Sequence, residues 1–142
     1  MTLARIFSAC TLATAIFASN VAAQDSVAPK DAKAYIISPS DGEIVTSPVT
    51  VVFGLKGMGV APAGTAKKMT GHHHLIIDSD LPPLDENIPA DENHIHFGGG
   101  QTEVSIDLAP GEHTLQLLLG DMNHIPHNPP IFSQKITITV KK

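Results

Sequence analysis

Residues 103–108 alternate strictly. Val104, Ile106 and Leu108 are apolar, while Glu103, Ser105 and Asp107 are polar. Successive side chains of a strand point to opposite faces, so this pattern predicts a half-buried β-strand. The same period recurs at 113–119, where Leu115, Leu117 and Leu119 share a face. It recurs again at 132–140, where Ile136, Ile138 and Val140 alternate with Thr137, Thr139 and Lys141. Val49, Val51, Phe53 and Leu55 set the inner face of a strand over 49–55. Shorter β-prone runs occupy 34–38, 72–78 and 94–97. Pro39-Ser40-Asp41-Gly42 and Ala109-Pro110-Gly111-Glu112 have the composition of turns. Segments 57–68 and 120–130 lack a period and read as loops. Segment 79–93, with three prolines and five acids, reads as a long solvated connection. About seven short strands without a helix predict an all-β fold, an antiparallel β-sandwich.

The first strand runs through Ser38-Pro39-Ser40-Asp41-Gly42 towards a second apolar strand, and this opening resembles bacterial immunoglobulin-like modules. The resemblance implies an immunoglobulin-like sandwich. The chain has no Trp and a single cysteine, Cys10, so the Cys-Trp-Cys signature of true immunoglobulin domains is missing.

The first residues have a different character. Arg5 precedes an apolar run over 6–18, followed by the small residues around Ala22 and Ala23. These are the parts of a secretory signal peptide, expected to be cleaved after Ala23; the run is too short to span a bilayer. The organisation expected is therefore a signal peptide at 1–23, a flexible polar lead at 24–33 and one β-sandwich domain over 34–142. A secreted domain without cysteine fits a bacterial periplasm. Cysteine leaves with the leader, which excludes disulfides and thiolate ligands. The net charge of −5 becomes more negative once Arg5 is removed. Nucleic acid and anionic membrane both demand a basic surface, so neither is an expected partner. The sequence names no protein partner.

All eight histidines follow residue 70, and five lie in two clusters. In Gly71-His72-His73-His74-Leu75, alternation puts His72 and His74 on one face and His73 on the face of Leu75 and Ile77. If the apolar residues point inward, His72 and His74 point outward. The same argument turns His94 and His96 outward beside Ile95 and Phe97. Two such pairs on neighbouring strands would bring four imidazoles together, a donor set for copper or zinc. The primary metal candidates are thus His72, His74, His94 and His96. His124 and His127, three residues apart in a loop, form a secondary candidate pair. His73 and His113 lie on inner faces and are secondary candidates suited to orienting backbone groups. Imidazole must be neutral to bind metal, so affinity is expected to fall as pH drops through about 6.5. Met58, Met69 and Met122 read as flexible filler rather than as thioether ligands.

No Gly-x-Ser-x-Gly nucleophile motif is present, and Gly98-Gly99-Gly100 is not followed by the lysine of a phosphate loop. The expected class is a binding module, not an enzyme. It would bind copper or zinc for buffering or delivery. The alternative is a structural or adhesion module whose histidines serve only as hydrogen-bonding groups.

Four stretches carry a closer resemblance: Gly71-His72-His73-His74-Leu75, 96–103 with its triple glycine, 110–117, and Gly120-Asp121 with His124, Pro126 and His127. Together they resemble a family of small secreted bacterial proteins that share a domain of unknown function. The resemblance spans roughly 49–140. It implies a secreted β-sandwich and supplies no activity.

Overall fold

The computed structural model describes residues 26–142; the expected leader, 1–23, lies outside the described residues. Nine strands follow in order: β1 (Lys33–Ser38), β2 (Ile44–Thr46), β3 (Val49–Lys56), β4 (Gly59–Val60), β5 (Thr70–Ile77), β6 (His94–His96), β7 (Glu103–Ile106), β8 (Gly111–Gly120) and β9 (Ile136–Lys141). The fold is all-β, as the alternation predicts. A three-stranded sheet, β1-β3-β7, packs against a larger sheet ordered β2-β9-β8-β5-β4, with β6 also paired to β5. Pairing is antiparallel except for β2 on β9 and β4 on β5.

The inner faces meet in one apolar core. Val49, Val51 and Phe53 of the small sheet lie against Leu75 and Ile77 of β5, Leu115, Leu117 and Leu119 of β8, and Ile136, Ile138 and Val140 of β9. Register explains the match. Leu75 sits opposite Leu117 and Ile77 opposite Leu115, so the inward sets of β5 and β8 coincide. Burial of this kind contributes roughly 25 cal/mol per Å² of apolar surface and is the main force holding the sheets together.

Three features differ from the sequence expectation. The strands β2 and β4 were not foreseen; at three and two residues they are too short to show a period. The last strand begins at Ile136 rather than at residue 132. Before it, the chain follows β8 irregularly, with Leu119 donating to the Ile131 carbonyl and the Ser133 hydroxyl accepting from the Leu117 amide. The third difference is the most consequential. The connection 79–93 is not a free excursion but lies over the outer face of the large sheet. Its Ile88 is buried, and with Leu81 and Leu84 it forms a second small core with Ile76 and Leu118. As a result β5 is buried on both faces.

Ser26 and Ala28 of the expected lead pair with the loop 120–130. Asn128 donates to the Ser26 carbonyl, Ala28 donates to the Asn128 carbonyl, and Ala28 enters the main core.

Candidate metal centre

On the outer face of β5, His72 and His74 are fully buried. None of their four ring nitrogens has a hydrogen-bond partner. The face that sequence parity called outward is therefore covered, by the connection 79–93 and the loop 120–130. A buried polar group without a partner costs roughly 1–3 kcal/mol, and such groups are rare in folded proteins. Two side by side in one strand demand a reason.

A third imidazole joins them from β6. His96 lies opposite His74, and one ring nitrogen each from His72, His74 and His96 falls within 4.8 Å of the others. Glycine makes this approach possible: a Cβ on Gly98 would stand 2.8 Å from His96 Nε2 and still closer to its Cε1, so the ring lies over the bare backbone. A Cβ on Gly120 would likewise stand 2.8 Å from His74 Cε1. The glycines around the histidines hold space for rings.

A fourth imidazole closes the group. The His124 ring centre is 5.0 Å from that of His72 and 4.7 Å from that of His96. Two contacts seat it. The His124 amide donates to the Asp121 carbonyl, and the His124 carbonyl accepts from Ile88 of the covering connection. The Asp121 side chain stiffens the turn through Oδ1, which accepts from the amides of Asn123 and Ile125. Its Oδ2 accepts from the Ser26 hydroxyl.

The other candidates lie elsewhere. His94 shares a face with His96, but it sits opposite Ile76, one step further from the His72–His74 pair. Its Nδ1 is 2.8 Å from Asp91 Oδ1, so the ring belongs to a local carboxylate contact. His73 faces the core against Phe53, with ring centres 5.3 Å apart. His127 is buried, its Nε2 donating to the Thr70 carbonyl at 3.1 Å. His113 lies far along β8, with Nδ1 2.7 Å from Asp78 Oδ2 and Nε2 2.8 Å from the Ala109 carbonyl. Met69 and Met122 are exposed, and Met58 packs on the main core.

Electrostatics separate these groups. Desolvation by burial lowers His72 to about 4, helped by the neighbouring imidazoles His96 and His124. Burial lowers His74 to about 3, with His72, His96 and His124 adding to the effect. His96 is lowered too, by desolvation and by His124. His72, His74 and His96 are all biased towards the neutral imidazole, which is the metal-binding form. His113 goes the other way, raised chiefly by its hydrogen bond to Asp78.

One member of the set was missed by parity. His124 sits in an aperiodic loop with φ 66°, and no alternation reports where a loop folds back. A signal for the cover was present, however. Leu117, Leu118 and Leu119 are three consecutive leucines, and a strand buried on both faces reads as an unbroken apolar run.

The fold and site define a double-sheet β domain with a buried histidine cluster able to hold a metal ion. A family model for a domain of unknown function (DUF4399) matches residues 51–141, and the chain belongs to that family. No curated protein matches the chain, and no solved structure does.

Proposed function

We propose that the protein is an extracytoplasmic metal-binding module that holds a transition-metal ion, copper or zinc, at His72, His74 and His96, for buffering or delivery. The observation that supports this most directly is the pairing of burial with lack of partners. His72 and His74 are fully buried, hold no hydrogen bond, and converge on His96 within 4.8 Å. A bound cation would satisfy a lone pair on each ring, which no protein group does.

The donors are all imidazole nitrogens, a set suited to zinc, copper or nickel and poor for calcium or magnesium. His96 is exposed, so an ion has a way in from solvent. Secretion through a cleaved leader remains part of the proposal and rests on the sequence of 1–23. A binding role is preferred to an enzymatic one on the sequence, which carries no Gly-x-Ser-x-Gly nucleophile motif.

Isothermal titration of the purified protein with Zn(II) and Cu(II), beside a His72→Ala/His74→Ala double variant, tests the reading. The wild type should bind one ion and the double variant none. Equal binding by both proteins would remove the ion from this cluster and leave a structural module.

A further inference from the structure

We infer that His124 is a fourth ligand and that the completed shell is a closed, tetrahedral four-imidazole centre suited to Zn(II). The inference rests on the reading of His72, His74 and His96 as ligands and adds to it the coordination number, the geometry and the ion.

The six distances between ring centres carry the argument. A nitrogen bond of about 2.0–2.1 Å, plus roughly 1.1 Å to the ring centre, puts each centre about 3.2 Å from the ion. Four rings at tetrahedral corners would then stand about 5.2 Å apart on every edge, whereas a square plane would show four edges near 4.5 Å and two diagonals near 6.4 Å. Here the separations are 4.8 Å for His72–His74, 5.0 Å for His72–His96, 5.1 Å for His74–His96, 5.0 Å for His72–His124 and 4.7 Å for His96–His124. Only His74–His124 is long, at 6.2 Å. In a square plane with that diagonal, the other diagonal would be His72–His96, which is too short at 5.0 Å. The four ring centres stand at the corners of a tetrahedron stretched along the His74–His124 edge; the ring nitrogens that lie within 4.8 Å of one another are those of His72, His74 and His96, so His124 completes the shell by turning its ring towards them.

His124 is held for this place at a cost. Its φ of 66° lies in the left-handed region, which disfavours an L side chain by roughly 1–2 kcal/mol. Asp121 pins the turn on one side and Ile88 on the other. A strap crosses between the turn after β6 and the loop that carries His124: Ala63 donates to the Gly98 carbonyl and Gly64 to the Met122 carbonyl. His72 and His74 are thus fixed by β5, while His96 and His124 are joined through one short segment.

Zn(II) has no geometric preference of its own, and its structural sites are four-coordinate and tetrahedral. Cu(II) prefers a tetragonal field. A shell filled by four protein nitrogens keeps no position for water, so the ion would fasten the loop 120–130 and the strand β6 to β5 instead of activating a substrate.

X-ray absorption of the Zn(II)-loaded protein, with Co(II) as an optical substitute, reads the shell directly. Four imidazole nitrogens with no oxygen are expected, together with a tetrahedral Co(II) spectrum. The variant to compare is His124→Asn, because Asn tolerates the left-handed backbone and should leave the fold intact by circular dichroism. In it the shell should become three imidazoles and a solvent oxygen. Zn(II) affinity should drop by more than the ~10–100-fold typical of losing an outer-shell partner. Three imidazoles plus oxygen in the wild type, with affinity unchanged in the variant, would overturn the inference and leave the proposed function standing. Failure of the wild type to bind Zn(II), Co(II) or Cu(II) would overturn both.

Discussion

The two faces of β5 hold the same residue type to different ends. On the inner face, His73 is one imidazole among hydrocarbon, beside Phe53 and in line with Leu75 and Ile77. On the outer face, His72 and His74 meet two more imidazoles next to the small core of Ile76, Ile88 and Leu118. Both faces bury imidazoles of β5 and both depress the histidine pKa, to about 4 for His73 by burial alone. Burial by itself therefore does not mark a site. What separates the faces is convergence: the inner ring has no second donor to share an ion with, and the outer rings have three.

The largest test of this comparison is acid. Unfolded histidine titrates near 6.5, and His73 titrates near 4 in the fold, so protons reach the unfolded chain first as pH falls. The contribution of His73 should be full above pH 6.5 and decline down to about pH 4, a loss of about 3 kcal/mol. His72 and His74 move in the same direction and add to the loss. Urea titrations of the metal-free protein at a series of pH values read it out. The metal should behave differently from the sequence expectation. Because burial holds His72 near 4 and His74 near 3, protons compete with the ion for this pair only well below pH 6.5, and the pair's share of the binding should persist below that pH where the fold survives. Loss of binding centred on pH 6.5 would mean that the buried pair, His72 and His74, does not set the competition with protons.

Next in size is the cover. Leu117 and Leu118 are both fully buried, one facing each side of the large sheet. Leu117→Ala and Leu118→Ala should each cost about 2–5 kcal/mol, the range for a buried leucine. A negligible loss for Leu118→Ala would mean that the connection 79–93 does not seal the outer face.

The smallest effect concerns His73. Its two ring nitrogens are buried without partners. His73→Leu should raise stability by about 1–2 kcal/mol, part of the cost of an unsatisfied polar group. It should leave Zn(II) affinity unchanged, and a marked loss of affinity would join the two faces into one functional unit.

Much of this was legible in the chain. The 115/117/119 face, the 49/51/53 face and the inward turn of His73 follow from period two, because a strand fixes side-chain direction residue by residue. The meeting of His74 with His96 needed pairing as well as parity, and parity alone equally favoured His94. Register sets His94 opposite Ile76, with its Nδ1 2.8 Å from Asp91 Oδ1.

By itself, the sequence determined the all-β class, the alternating core and the concentration of imidazoles after residue 70. These are local properties, carried by neighbours a few positions apart. Only the tertiary structure decided that His72 and His74 are buried on the outer face, that Gly98 and Gly120 leave room for rings, and that His124 returns from 50 residues beyond His74 to join the cluster. Those depend on where loops without a period fold back, and loop closure is set by contacts with distant residues rather than by any pattern within the loop.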